Sequence, residues 1–181
     1  MPRIQPIDPA AATGRTAALL DTTRAMLGGT PNMFTTAANA PAALDAMVGL
    51  FGSLSKSSLG AKVGELIAIA VAQANHCGYC LSAHTALGGS FGVDPVALTG
   101  ARRAVSSDAK TEAILQLAVT IVERRGQIDD ETFARARGAG ISDAEIVEVV
   151  AYVGLNTYTN YLNNVCQTVI DFPTIALDAA A

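Results

Sequence analysis

The sequence predicts an all-α fold, a compact helical bundle, on three observations. No stretch of the 181 residues shows the sustained period-two alternation of a half-buried strand. Apolar residues recur instead at helical spacing, as in Leu44, Met47, Val48, Leu50 and Phe51. Half of the residues are apolar, tryptophan is absent and alanine is abundant, a composition that favours helices packed closely through small side chains.

The elements follow in order. Residues 1–10 hold three prolines and read as irregular, and the N-terminal arm extends to residue 15. Helical spacing runs from Thr16 to Leu27 and stops at Gly28 and Gly29. Pro31 and Pro41 suit helix starts, where a missing N–H costs nothing, and Asn39 offers capping chemistry before the second. SSLGAKVGELIAIAVAQANHCG reads as one long helix, apolar on nearly every side and so buried within the domain or between subunits. Glu65 is embedded in it. A turn over residues 75–78 leads into a helix through about Leu87, closed by Gly88 and Gly89. Asp94 caps a short helix with Pro95 at its first position. Ser107 opens a helix containing AKTEAILQLAVTIVERR, which Gly126 stops. Asp129 and Asp130 cap a short helix ending at Gly138. Ser142 and Glu145 form a capping box, and the helix after it runs to about Val169. These connections are too short for a linker, so residues 1–181 form one domain with its motif core at 57–91.

Composition also excludes function classes. A net charge of -4 argues against nucleic acid, because little here could neutralise phosphates. No apolar stretch is long enough, or free enough of polar residues, for a membrane span. MPRIQPIDPAAATG lacks the apolar core of a secretory signal. The expectation is a cytoplasmic chain whose thiols rest reduced. Three cysteines are an odd number, which argues against a disulfide-stapled scaffold.

Chemistry concentrates in one run, HCGYCLSAH. If it is helical, Cys77, Cys80 and His84 fall at i, i+3 and i+7 and share a face. A thiol attacks peroxides and disulfides only as its thiolate, and a helix N-terminus and a histidine can both stabilise one. The helix terminus favours Cys77 as the nucleophile. Proximity to the base favours Cys80, because His84 lies about 6 Å along the axis from it and roughly 10 Å from Cys77. Cys80 is therefore assigned as the attacking thiol and Cys77 as the resolving thiol. A carboxylate beside a thiol raises its pKa, so Glu65 serves by orienting or charging His84. C-x2-C-x3-H, with Glu65 as a fourth group, is also a zinc ligand set, but structural zinc sites usually split their ligands into two separated pairs. A passive disulfide is weaker still, since so short a loop constrains little of the unfolded chain.

The pattern E-x11-C-x2-C-x3-H resembles the alkylhydroperoxidase AhpD family, within the carboxymuconolactone decarboxylase-like superfamily. PNMFTTAANAPAAL resembles that superfamily's lead-in, and EIVEVVAYVGLNTYTNYLNN its asparagine-bearing closing helix. The resemblance covers roughly residues 30–165. It implies an all-α homo-oligomer, a trimer or a multiple such as a hexamer. It implies peroxide reduction by the cysteine pair with no haem, flavin or metal, and re-reduction by an external dithiol such as a lipoyl-bearing protein. Glu65, Cys77, Cys80 and His84 match the family pattern. Tyr79 departs from it, standing where well-known relatives carry a histidine. Tyrosine titrates near about 10 and is a poor base at neutral pH, though it can donate a hydrogen bond.

Other residues receive plainer readings. Tyr79 is a pocket wall, His76 an exposed neighbour of the motif, and Cys166 a small buried apolar residue. Asn156, Asn160 and Asn163 share a helix face; interhelical hydrogen bonding is the simpler account, and Asn160 lining the reaction pocket is the sharper one. Arg102 and Arg103 read as a solvated face. The functional expectation is a cysteine-based, antioxidant hydroperoxide reductase or disulfide oxidoreductase. The alternatives are a lactone-processing decarboxylase and a non-catalytic redox sensor.

Overall fold

The computed structural model describes residues 1–179, and among them it has nine helices and no strand. They are α1 (Gly14–Leu27), α2 (Asn32–Ala37), α3 (Pro41–Leu54), α4 (Gly60–Ala74), α5 (Gly78–Ser90), α6 (Pro95–Ala101), α7 (Ala109–Glu123), α8 (Asp130–Gly138) and α9 (Asp143–Cys166). The all-α expectation holds.

Helix α4 is the axis of the bundle. Every residue from Leu66 to Ala72 is buried, as an all-round apolar helix requires. Helices α5, α6, α7 and α9 pack around it. The chain leaves α4 through His76, whose φ of 51° is left-handed, while the Cys77 amide reaches back to the Ala72 carbonyl at 2.9 Å. That reversal sets the CxxC segment directly against α4.

Several boundaries differ from expectation for local reasons. The N-terminal arm ends earlier, since α1 begins at Gly14. Asn39 does not cap α3; its amide is engaged by the Gln5 and Thr36 carbonyls. Residues 57–58 stay outside α4, because Glu148 binds the Ser58 amide and hydroxyl. Helix α5 runs through Gly88 and Gly89 to Ser90. Asp108, not Ser107, caps α7, with its carboxylate on the Thr111 amide at 2.8 Å. The capping box of Ser142 and Glu145 is present, but α9 ends at Cys166, where Gln167 turns left-handed.

Residues 168–179 then form a non-helical strap back across the bundle. The Ile175 amide donates to Ser82 Oγ at 3.0 Å, and Asp171 accepts from the Asn32 amide at 2.7 Å. Asp178 pairs with Arg102 and Arg103. Arg102 is thus a largely buried anchor and not part of a solvated face, a pairing that local sequence does not reveal.

Candidate active site

Cys77 is the N-cap of α5, and its sulfur accepts the Cys80 amide at 3.2 Å. It is therefore not a helical residue, as even spacing assumed, but sits just outside the first turn. The geometry still brings the thiols together: Cys77 Sγ donates to Cys80 Sγ at 2.7 Å. Both are free thiols and both are buried. His84 lies one turn beyond Cys80 on α5. Its Nδ1 meets Glu65 Oε2 of α4 at 2.8 Å, both side chains being mostly shielded from solvent. Lys62, three residues before Glu65 on α4, donates to the Gly92 carbonyl at 3.1 Å.

The electrostatics distinguish the two sulfurs. Burial works against ionising Cys80, but the Cys77 S–H, the His84 charge and the Asn163 and Asn160 amides outweigh it and lower its pKa to about 7. Cys77 moves strongly upward, because its proton is held by Cys80, it is buried, and the charge on Cys80 repels a second one. The first proton thus leaves Cys80 and the second stays on Cys77. Burial opposes the charged form of His84, yet the Glu65 carboxylate and the Cys80 thiolate raise its pKa above the usual imidazole value. The result favours a carboxylate–imidazolium–thiolate row.

Asn163 is the residue that sequence reasoning passed over. Its Nδ2 donates to Cys80 Sγ at 3.2 Å from the middle of the bundle. The asparagine stripe was visible, but which member would meet the thiol depends on how α9 crosses α5. Asn160 is fully buried, with Oδ1 bonded to the Asn75 amide at 3.0 Å. Asn164 donates to the Asn75 carbonyl at 3.1 Å. These two asparagines clamp the turn that delivers Cys77, so interhelical bonding and thiol contact coexist on one stripe.

Tyr79 hydrogen-bonds to neither Glu65 nor His84. Its hydroxyl accepts the Met33 amide at 3.1 Å, and its ring meets Phe172 of the strap edge-on at 5.8 Å. Burial holds its pKa far above the tyrosine range, so it stays a neutral wall. With Phe34, Phe51, Phe172 and Leu87 it lines an apolar cavity of about 80 Å³ that Cys80 and His84 also face. A second cavity of about 210 Å³ lies on the Glu65 side of His84, walled by Phe51, Leu54, Tyr152 and Asn156. His76 is exposed, and Cys166 is a buried free thiol at the end of α9. Among the described residues no group of three or more His, Cys, Asp or Glu side chains is placed to hold a metal ion.

Fold and site together define a helical thiol protein with a CxxC pair backed by a histidine–carboxylate pair. Residues 41–117 match the carboxymuconolactone decarboxylase family model. No curated protein matches the chain in sequence. Among solved structures, a peroxidase-related protein with an alkylhydroperoxidase AhpD core from Ralstonia eutropha JMP134 is similar, at TM-score 0.84 and 20% identity over 94% of this chain and 92% of that one. A peroxidase-related protein from Silicibacter sp. TM1040 is similar at TM-score 0.77 and 23% identity, covering 91% of each chain. An alanine variant of the debrominase Bmp8, in complex with 2,3,4-tribromopyrrole, aligns at TM-score 0.80 and 20% identity over 93% and 91% of the chains. The family match over residues 41–117 thus lies within a fold similar to that of the AhpD-core protein.

Proposed function

We propose that the chain is a thiol-dependent hydroperoxide reductase, with Cys80 as the peroxidatic thiol and Cys77 as the resolving thiol. One observation carries this reading: the thiol that bears the lowered pKa also faces a cavity, stands by a charged histidine and touches a second thiol. The Cys80 thiolate attacks the terminal oxygen of R–O–OH. An S–O bond forms, the O–O bond breaks, sulfur is oxidised by two electrons, and the leaving alkoxide takes the His84 proton. Glu65 stabilises the imidazolium that supplies that proton. The Cys77 thiol then attacks the sulfenic sulfur, forming the disulfide and releasing water. An external dithiol restores the pair by exchange. A lipoyl group on another protein is a dithiol of that kind.

The test is hydroperoxide-dependent dithiol oxidation by purified variants. Cys80→Ser should lose turnover. Cys77→Ser should lose turnover yet still form one sulfenic acid per chain, trapped at Cys80 by dimedone. Full turnover by Cys80→Ser would remove this assignment.

A second reading rests on the aromatic wall of the cavity and the similarity to a debrominase. The same thiolate could take bromine from an electron-rich ring. Cys80 would gain an S–Br bond, the ring carbon would take a proton, and closure by Cys77 would expel bromide. Bromide release from 2,3,4-tribromopyrrole without peroxide turnover would favour this reading over the first.

A further inference from the structure

Two unlike cavities meet at His84. The one against Cys80 holds about 80 Å³ and the one beside Glu65 about 210 Å³. Leu27, Phe51 and His84 wall both, so the two are neighbours that share the imidazole. Cys80 lines only the smaller, and Glu65 only the larger.

Volume divides their uses. An apolar cavity of about 150 Å³ takes up benzene, and a water molecule fills about 30 Å³ of the liquid. The smaller chamber therefore admits a peroxide group but no ring or long chain, and the larger admits a ring with a few added carbons. The larger is lined mainly by apolar side chains, among them Leu54 and Leu155. Met26, Leu27 and Phe91 at its rim are each more than a third exposed, which opens it to solvent. Among the described residues no lysine or arginine lines either chamber, and His84 is already paired with Glu65. A negatively charged group in the larger chamber would be unpaired beside a carboxylate.

The order of these groups matches the bonds of an organic hydroperoxide. With the terminal oxygen at Cys80, the second oxygen lies toward His84 and the carbon group beyond it. Glu65 holds Nδ1 of His84, so the proton that the ring gives is the one on Nε2. The alkoxide that leaves when the O–O bond breaks takes that proton where the chambers meet.

We infer that the site is bipartite: a hydroperoxide lies across both chambers, its O–O–H group against Cys80 and an uncharged ring or chain of about six to nine carbons in the larger one, with Leu27 and Phe51 clasping the junction. The inference rests on the peroxide reading and adds the size and charge of the substrate.

Steady-state oxidation of dithiothreitol by the full chain tests it, with cumene hydroperoxide, its para-carboxylate and hydrogen peroxide as oxidants. Cumene hydroperoxide should exceed each of the others in kcat/KM by at least about tenfold. Ala68→Leu on the floor of the larger chamber and Ala61→Trp at its rim should each lower the ratio of cumene hydroperoxide to hydrogen peroxide by about tenfold. That ratio cancels any loss common to both oxidants. Independently of turnover, the product alcohol 2-phenyl-2-propanol should bind Cys80→Ser protein in calorimetry, and adding Ala68→Leu should abolish the binding. Such binding without turnover of any peroxide by the wild type would overturn the peroxide reading while keeping the larger chamber as the seat of an uncharged organic group. Equal kcat/KM for the three oxidants, a ratio unmoved by both variants, or alcohol binding indifferent to Ala68→Leu would each overturn the bipartite site.

Discussion

Asn163 shows how much one amide can do to a buried thiol. A hydrogen bond to a charged group contributes roughly 1.5–3 kcal/mol, equivalent to about one to two pH units of acidity. Cys80 ionises near 7, so its reaction with iodoacetamide should rise through about pH 7, where an unperturbed thiol of pKa 9.0 would still be mostly protonated. The sign follows from which form reacts: the thiolate forms as pH rises, so the rate rises with it. Asn163→Ala should move that midpoint upward, and Asn163→Asp further, because it sets a negative charge beside the thiolate. Alkylation rates from pH 5 to 10 read both directly; an unmoved midpoint would remove Asn163 from the site. Glu65→Gln should weaken peroxide turnover while leaving Cys80 alkylation at high pH intact, since the carboxylate acts through His84 and not on sulfur.

At the scale of elements, the close contact of α4 with α9 depends on Gly64. A Cβ there would stand 2.8 Å from Tyr152 Oη and 3.0 Å from its ring. Tyr152 has little freedom to yield, as its hydroxyl donates to the Leu54 carbonyl at 2.9 Å and lies 3.0 Å from Ser57 Oγ. Alanine gains about 1 kcal/mol over glycine in helix propensity, whereas overpacking typically costs about 1–3 kcal/mol. Gly64→Ala should therefore destabilise the fold by on the order of 1 kcal/mol, measured by urea unfolding, although propensity alone predicts the reverse. Ser142→Ala should cost about 1 kcal/mol by losing the cap of α9.

Across the whole molecule, the parts legible in the sequence were those whose partners lie close along the chain. Capping at Asp94, Asp129 and Ser142 is local, and so is the spacing of Cys77, Cys80 and His84. Glu65 was legible because a carboxylate in an apolar helix demands a partner. Asn163 and the strap were not, because their partners are chosen by helix crossings and by a chain reversal that no local pattern encodes. The strap is held by Asp178 on Arg102 and carries Phe172 onto Tyr79. Asp178→Ala should loosen it, and Cys80 should then react several-fold faster with a bulky disulfide reagent at fixed pH while its pH midpoint stays in place.

The N-cap role of Cys77 joins oxidation state to the peptide backbone. The Cys77 thiol sulfur is a weak acceptor of the Cys80 amide, and a disulfide sulfur is a weaker one. Oxidation thus trades one covalent bond for a weakened first helical turn. The Cys80 amide proton should move upfield in a nitrogen–proton correlation spectrum and exchange faster with deuterium once the pair closes, reporting redox state without any label on the thiols.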